Sequence, residues 1–402
     1  MRKLTFWALC ALCFTIPWEN VLMIAGIGTI SRTIGLCAIV LACLTVCSRP
    51  AVRPPSPIVL CFAAFVLWSA ATVLWTISIP LSLELLITYV QLATLVWMIW
   101  EFARERSQQH ALMQMYVLGC YVAAVQTVLA YESGQQASYL RYAAPGTDSN
   151  ELGLILTIGT LLAWYLAGVT RGRLGRAINY AYPLMAFIAI PLTGSRGAAA
   201  AAVVAYGYIV FTSVRRRRSI GIAVLMALTA AAFALMPLVP SSSIERIAST
   251  MNASSRGDWS GRLPIWQAGA TVFCEHPLLG VGVGAFRESI VRKIGIRIAA
   301  HNTFLSVAVD GGLPSATLWL LLLVASARSA LRMDAPQRQL WAFLMVTWVI
   351  GASTISWDYS KSTWLLFALI AAQAGDSDET EADPAIRGSG TIEVVPARGG
   401  AA

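Results

Sequence analysis

Apolar windows of roughly 17–22 residues, each enough for a tilted or short helix to cross a bilayer, recur from one end of this chain to the other. No other feature restricts the fold as much. Lipid, and not a closed core, then receives most of the apolar surface, so the length rules for soluble domains do not apply. Composition agrees, with 12% charged residues and 57% hydrophobic ones, against about 25% charged in soluble domains. Spans are expected at about 4–18, 33–47, 57–76, 82–100, 110–130, 150–169, 178–193, 197–213, 219–238, 301–325, 340–356 and 362–374. The expected fold is an all-α polytopic membrane protein of about twelve transmembrane helices, with one long outer loop containing short amphipathic helices. It divides into a membrane bundle of about nine spans (1–238), a loop carrying the candidate active segment (239–300), a second bundle of about three spans (301–374) and a disordered acidic tail (375–402).

The formal charge of +9 would fit a nucleic-acid partner, but its positions do not. Arg2, Lys3, Arg49, Arg53, Arg104, Arg106, Arg171, Arg173, Arg176, Arg215, Arg216, Arg217, Arg218, Arg328, Arg332 and Arg338 fall on one side of the expected spans. The short loops of the other side hold only Arg32, Arg141, Arg196 and Lys361. That asymmetry makes the basic side cytoplasmic, puts both termini there and leaves the long loop outside. The basic residues of the long loop need a separate explanation. Cys10 and Cys13 have helical spacing inside the first span, so a redox or zinc reading is poor, and no disulfide is expected. The opening MRKLTFWALCALCF imitates a signal peptide but reads as a retained first helix. Trp68, Trp75, Trp97 and Trp100 read as interfacial anchors.

The stretch from Ser260 to Leu305 holds two of the three histidines and five basic residues, Arg262, Arg287, Arg292, Lys293 and Arg297. Leu263, Trp266, Gln267, Ala270 and Phe273 recur at three and four residues, as in an amphipathic helix lying on the membrane. Arg262 in its first turn opposes the helix dipole, a conflict that a bound anion would remove. The run Gly280-Val281-Gly282-Val283-Gly284 reads as a tight turn, or as backbone able to approach a ligand; no strand precedes it, which excludes dinucleotide binding. His301 and Asn302 open the next span, where Asn302 is a candidate cap. Asp310, Gly311, Gly312 and Pro314 predict a kink within that span.

Elsewhere, Arg196 stands at the outer end of a helix that begins with Gly197 and five alanines, whose small side chains suit a buried helix. It reads either as a snorkelling cation or as an anion site at a helix N-terminus. Asp148, Ser149 and Asn150, with Glu151 in the first turn, form a helix cap or a polar rim for a sugar. Arg141 is a weaker anion candidate, and Glu84 reads as solvated near the outer surface. Asp358 and Lys361, in the last outer link, are candidates for an ion pair. Asp376-Ser377-Asp378 looks like a metal-binding DxD, but it lies in the tail on the cytoplasmic side.

Arg196, Arg262 and His301 are therefore expected to converge. Two guanidiniums grip phosphate through paired hydrogen bonds, and a membrane ligand with phosphate at that face is most simply a polyprenyl diphosphate. A neutral imidazole takes the proton from an attacking hydroxyl, and neighbouring arginines keep it neutral. No acidic cluster for Mg²⁺ and no His/Cys set for zinc is legible, so neither a metal nor another cofactor is expected.

Three segments carry a family resemblance: TGSRGA, SGRLPIWQAGATVFCEHPLLGVGVGAF and AAHNTFLSVAVDGGLPS. Together, over about 190–315, they resemble the core of the O-antigen ligase and polymerase superfamily. The resemblance implies an inverting, metal-independent glycosyl transfer at the periplasmic face of the bacterial inner membrane. The donor would be an undecaprenyl-diphosphate glycan. The acceptor would be a sugar hydroxyl, on the lipid A core for a ligase or on another lipid-linked unit for a polymerase. The modest outer loop leans towards ligase. On this basis Arg196 and Arg262 bind the diphosphate and His301 activates the acceptor, with Asn302, Arg287, Arg292, Arg141 and Asn150 as further substrate-binding candidates. A transporter is the alternative of a different class. Few acids at mid-membrane depth and no matching pair of broken helices stand against it.

Overall fold

A computed structural model describes residues 1–26, 28–48, 52–138, 141–235 and 261–382. Nine helices fill the first part: α1 (Arg2–Thr15), α2 (Ile30–Cys47), α3 (Pro57–Thr72), α4 (Ile79–Phe102), α5 (Arg106–Glu132), α6 (Ser149–Val169), α7 (Arg173–Leu192), α8 (Arg196–Arg216) and α9 (Arg218–Leu235). Three shorter helices follow, α10 (Leu263–Glu275), α11 (Phe286–Ser289) and α12 (Val291–Ile294). The described chain ends with α13 (Thr303–Arg332), α14 (Ala335–Ala352) and α15 (Lys361–Ala382). A 3₁₀ turn (Ile16–Val21) and a two-residue antiparallel pair (Met23–Ile24 with Gly28–Thr29) link α1 to α2.

Each expected window coincides with one of the twelve longer helices outside the loop. Seven segments, namely α1 with its 3₁₀ turn, α2, α4, α5, α6, α8 and α13, are long and apolar enough to cross a membrane. α3 and α9 are apolar but shorter. Helix length and composition thus carry a polytopic helical membrane protein, not the full count of twelve spans. The first part of the long loop, 239–260, lies outside the described residues.

Two helices sit at the centre. α6 is apolar on every side and is buried along most of its length. In α15 the stretch from Ser362 to Gln373 is fully enclosed. Its polar side chains are paired inside the bundle: Tyr116 donates to Ser362 (3.0 Å), Trp348 to Thr363 (3.0 Å) and Trp341 to Gln373 (2.7 Å). α15 continues as helix to Ala382, eight residues beyond the expected end at 374; residues 383–402 lie outside the described residues.

α8 differs from the expected buried helix. Ala198, Ala201, Ala205 and Tyr208 bury one stripe, while Val203 is 73% exposed. Small side chains admit close neighbours on one side only, where Gly153 of α6 lies so near that a Cβ there would collide with Ala198.

α13 breaks where expected. Gly312 lies within it at φ 68°, ψ −163°, two residues before Pro314. The loop uses that break. Gly280, Gly282 and Gly284 have φ of 67°, 104° and 76°, and a Cβ at them would strike Asp310 and Gly312, Thr76, or Leu81. Val281 and Gly282 donate to the carbonyls of Val309 and Asp310 (3.0 and 2.9 Å), and Ile77 donates to Val281 (3.0 Å). The Asp310 carboxylate accepts from the backbone of Gly284 (2.9 Å) and Phe286 (2.8 Å). The close approach that these glycines permit is therefore to the protein itself, to backbone at Gly280 and Gly284 and to Thr76 at Gly282.

The tryptophans at helix ends are tied to the same features. Trp68 donates to the carbonyl of Gly311 (2.8 Å), Trp75 to Leu279 (3.1 Å) and Trp100 to Pro54 (3.1 Å). The Arg53 guanidinium stacks 3.7 Å over the Trp100 ring. Carbonyls released by a kink or a loop are strong acceptors, and the indole N–H finds them within the protein.

Candidate functional site

The site is built where the N-termini of α6, α8, α13 and α15 meet. Asp148 caps α6, its carboxylate accepting from the backbone of Asn150 (2.9 Å) and Glu151 (3.2 Å). Ser195 caps α8 and Asn302 caps α13, accepting from Ala198 (3.2 Å) and Leu305 (3.1 Å). Arg141 is buried and joins the first two helices, donating to the carbonyl of Thr193 (2.9 Å) and to the side chain of Asn150 (2.8 Å).

The link between α14 and α15, Ser353 to Ser360, holds these ends together. Arg262 donates to the carbonyl of Thr354 (2.7 Å), and Gly197, next to Arg196, lies so close that a Cβ would collide with the Thr354 side chain. Thr303 donates to the carbonyl of Ile355 (2.9 Å) and accepts from the backbone of Trp357 (2.7 Å). The Trp357 indole and the Ser360 hydroxyl donate to Glu151 (3.1 and 3.2 Å). Arg262 and the neighbours of Arg196 and His301 thus meet one four-residue stretch, Thr354 to Trp357.

Sequence reasoning passed over this link. Its apolar-to-polar switch marks a turn, and nothing in SWDYSKS signals a hub. The candidate ion pair inside it does not form. Lys361 turns to Glu19 of the 3₁₀ segment, and Asp358 turns inward to accept from the Tyr89 hydroxyl (2.6 Å).

α10 presents a face one residue removed from the expected one. Ile265, Ala268, Gly269 and Val272 are its buried residues, packed with Phe286, Ile290 and Val309. Gly269 makes that close approach possible, since a Cβ would strike Phe286 and Leu305. Arg262 occupies the cap position of α10 instead of its first turn. It therefore lies at the positive end of that helix dipole.

His301 has φ 48°, the left-handed region, and is the only non-glycine residue with positive φ among the described residues. Such a backbone costs about 1–3 kcal/mol and persists only where its surroundings over-determine it. Burial lowers the His301 pKa from its ordinary value; the nearby Arg262 and Arg287 charges lower it further, against an opposing effect of Asp148. Burial and the adjacent Arg196 charge likewise lower that of Arg262, which stays protonated in any case. Arg196, Arg262, His301, Asp148 and Arg287 thus share one electrostatic neighbourhood. The His301 side chain makes no hydrogen bond among the described residues.

Beside this cluster lies a polar cavity of about 390 Å³. Arg287, Ala299 and Ala300 line it next to His301, and Glu151, Ser356, Asp358, Tyr359 and Ser360 line it from α6 and the hub. Arg32, Lys361, Glu19 and Glu84 are also on its wall. Arg196, Arg262 and His301 are not among its lining residues, so the cluster and the cavity adjoin and Arg287 belongs to both. Burial pushes the Asp358 carboxyl up to about 6, in spite of the Tyr89 hydrogen bond. A second, apolar groove of about 190 Å³ between α2 and α4 shares Arg32, Thr88, Tyr359 and Lys361 with the cavity.

The sequence candidates therefore separate. Arg287 lies between cluster and cavity, while Arg141, Asn150 and Asn302 have side-chain bonds that organise helix ends. Arg292 is exposed on α12 and enters neither group. Among the described residues no set of three His, Cys, Asp or Glu side chains is placed to hold a metal ion.

The O-antigen ligase family matches residues 181–320, which contain Arg196, Arg262, Arg287 and His301. That match supports the resemblance to the O-antigen ligase and polymerase superfamily over this segment, about a third of the chain. Members of this family are glycosyltransferase-like membrane enzymes that work on lipid-linked glycans. Asp148, Glu151 and the hub link lie outside the matched segment, although the hub accepts the hydrogen bond of Arg262 and the Asp148 charge acts on Arg262 and His301. No curated protein matches the chain.

Proposed function

We propose that this protein moves a glycan from a polyprenyl diphosphate to a sugar hydroxyl at the periplasmic face of the bacterial inner membrane, with both termini cytoplasmic. Arg196 and Arg262 hold the diphosphate, and His301 is the general base. The acceptor oxygen attacks the anomeric carbon from the side opposite the diphosphate, so the new glycosidic bond forms as the carbon–phosphate-oxygen bond breaks and the configuration inverts. The hydroxyl proton passes to the His301 ring. Diphosphate leaves without protonation, its growing charge met by the guanidiniums and the adjoining ends of α8 and α10, and this assignment requires no metal ion.

The observation that carries the reading is the mutual placement of Arg196, Arg262 and His301, in which Arg196 lowers the pKa of Arg262, and Arg262, with Arg287, lowers that of His301. Burying like charges together is unfavourable unless an anion joins them. Ligation to the lipid A core is the first acceptor reading. Polymerisation onto a lipid-linked glycan uses the same residues, and the apolar groove between α2 and α4 favours it by offering room for a second hydrocarbon chain.

Purified full-length protein in liposomes, given undecaprenyl-diphosphate glycan with lipid A core or with a second lipid-linked glycan, tests both readings. Transfer with inverted anomeric configuration, unaffected by EDTA, is expected. Retention of configuration, dependence on a divalent metal, or full activity of His301→Ala would remove the mechanism.

A further inference from the structure

The polar cavity holds two side-chain atoms that the protein itself leaves unserved. Asp358 is 1% exposed and Ser356 is 8% exposed, yet Asp358 Oδ1 and Ser356 Oγ have no hydrogen-bond partner. Both residues line the cavity. Buried polar atoms are nearly always paired, and an orphan on a residue that lines a cavity is most simply a bond reserved for a ligand that the side chain turns to meet. Three other carboxylates of the wall are already engaged. Asp310 is held by two backbone amides, Glu151 by Trp357 and Ser360, and Glu19 by Lys361.

The wall chemistry selects the ligand. Carboxylates of Glu19, Glu84, Glu151, Asp310 and Asp358 face only Arg32, Arg287 and Lys361 in the way of cations. Such a wall disfavours phosphate and suits a neutral molecule rich in hydroxyl donors. Its volume is within the range of small-ligand pockets. Ala299 and Ala300 are part of the wall, so a group bound there lies beside the residue that precedes and positions His301.

We propose that Ser356 and Asp358 form the subsite for the terminal sugar of the acceptor glycan, one hydroxyl donating to Asp358 Oδ1 and another bonding to Ser356 Oγ. The acceptor assignment rests on the transfer reaction proposed above; the sugar site itself does not. Tyr89 serves the opposite oxygen, Oδ2, and acts as a positioning residue for the carboxylate.

The test separates the two ideas. In the liposome assay with lipid A core varied, Asp358→Asn should raise the acceptor KM by about tenfold to a hundredfold and Ser356→Ala by about threefold to tenfold. Binding of the undecaprenyl-diphosphate glycan should stay unchanged. Tyr89→Phe, which leaves Oδ1 in place, should change the acceptor KM by less than about threefold, whereas a purely structural clamp would make it resemble Asp358→Asn. Lipid-free core oligosaccharide, titrated into the full-length protein without donor, should bind to wild type and Arg262→Ala but weakly to Ser356→Ala. Oligosaccharide binding that depends on Ser356 in a protein unable to transfer glycan would keep the sugar subsite and remove the reaction. Active enzyme with an unaltered acceptor KM in both Ser356→Ala and Asp358→Asn would overturn the subsite.

Discussion

The arginine–histidine cluster and the polar cavity adjoin through Arg287, yet they are built on opposite electrostatic principles. In the cluster, cations that depress one another's proton affinity are held together by backbone carbonyls and helix ends. In the cavity, carboxylates outnumber cations and two buried oxygens have no partner. One region sets Arg196, Arg262 and Arg287 against the single acid Asp148; the other leaves two oxygens without hydroxyl donors. A diphosphate-linked sugar and a sugar hydroxyl are complementary to that pair, and the contrast teaches that two substrates can be kept apart by the sign of the wall alone.

The largest effect should fall on the base. His301→Ala is expected to reduce transfer about 10²- to 10⁴-fold while donor binding is retained; equal loss of donor binding would merge the base with the anion site. Next, Arg262→Ala should weaken donor affinity by about tenfold to a hundredfold, with partial recovery in Arg262→Lys, because a point charge replaces charge but not the paired hydrogen bonds. An unchanged donor affinity by equilibrium binding would show that the cluster is not the diphosphate site.

A smaller effect is expected in the scaffold joining the two regions. Thr303→Val removes both the bond to Ile355 and the partner of the Trp357 amide, and should cost about 1–3 kcal/mol in thermal or denaturant unfolding. A melting temperature like that of wild type would deny the link its role as a hub.

The finest test uses pH. As the proposed base, His301 must be neutral, and its pKa is lowered from the ordinary 6.5. Transfer should therefore rise with pH up to that lowered value and then level off. Arg287→Gln removes a charge that lowers the pKa, so the acidic limb should move to higher pH; Asp148→Asn removes one that raises it, so the limb should move lower. Asn can still cap α6. Shifts in the same direction, or none, would place His301 outside the neighbourhood of these residues.

Much of the bundle was legible in the chain because a bilayer demands long apolar runs, and such runs announce themselves by length. The break at Gly312 was legible for a similar reason, since Asp-Gly-Gly and Pro314 interrupt helix geometry locally. Less visible was the face of α10, where Ala268 and Gly269 look unremarkable by hydrophobicity and matter because their size admits Phe286 and Leu305.

By itself, the sequence determined which segments become apolar helices, which end of α8 carries Arg196, and that Arg262 and His301 flank one basic stretch. Local periodicity and charge are written residue by residue. Only the tertiary structure decided that Thr354, Ile355 and Trp357 gather those residues, that Asp358 faces Tyr89 and not Lys361, and that two residues lining a cavity each keep an unpaired oxygen. Those contacts join positions tens to hundreds of residues apart, and they exist because of how helices cross and how closely glycine lets them approach, quantities that no local pattern records.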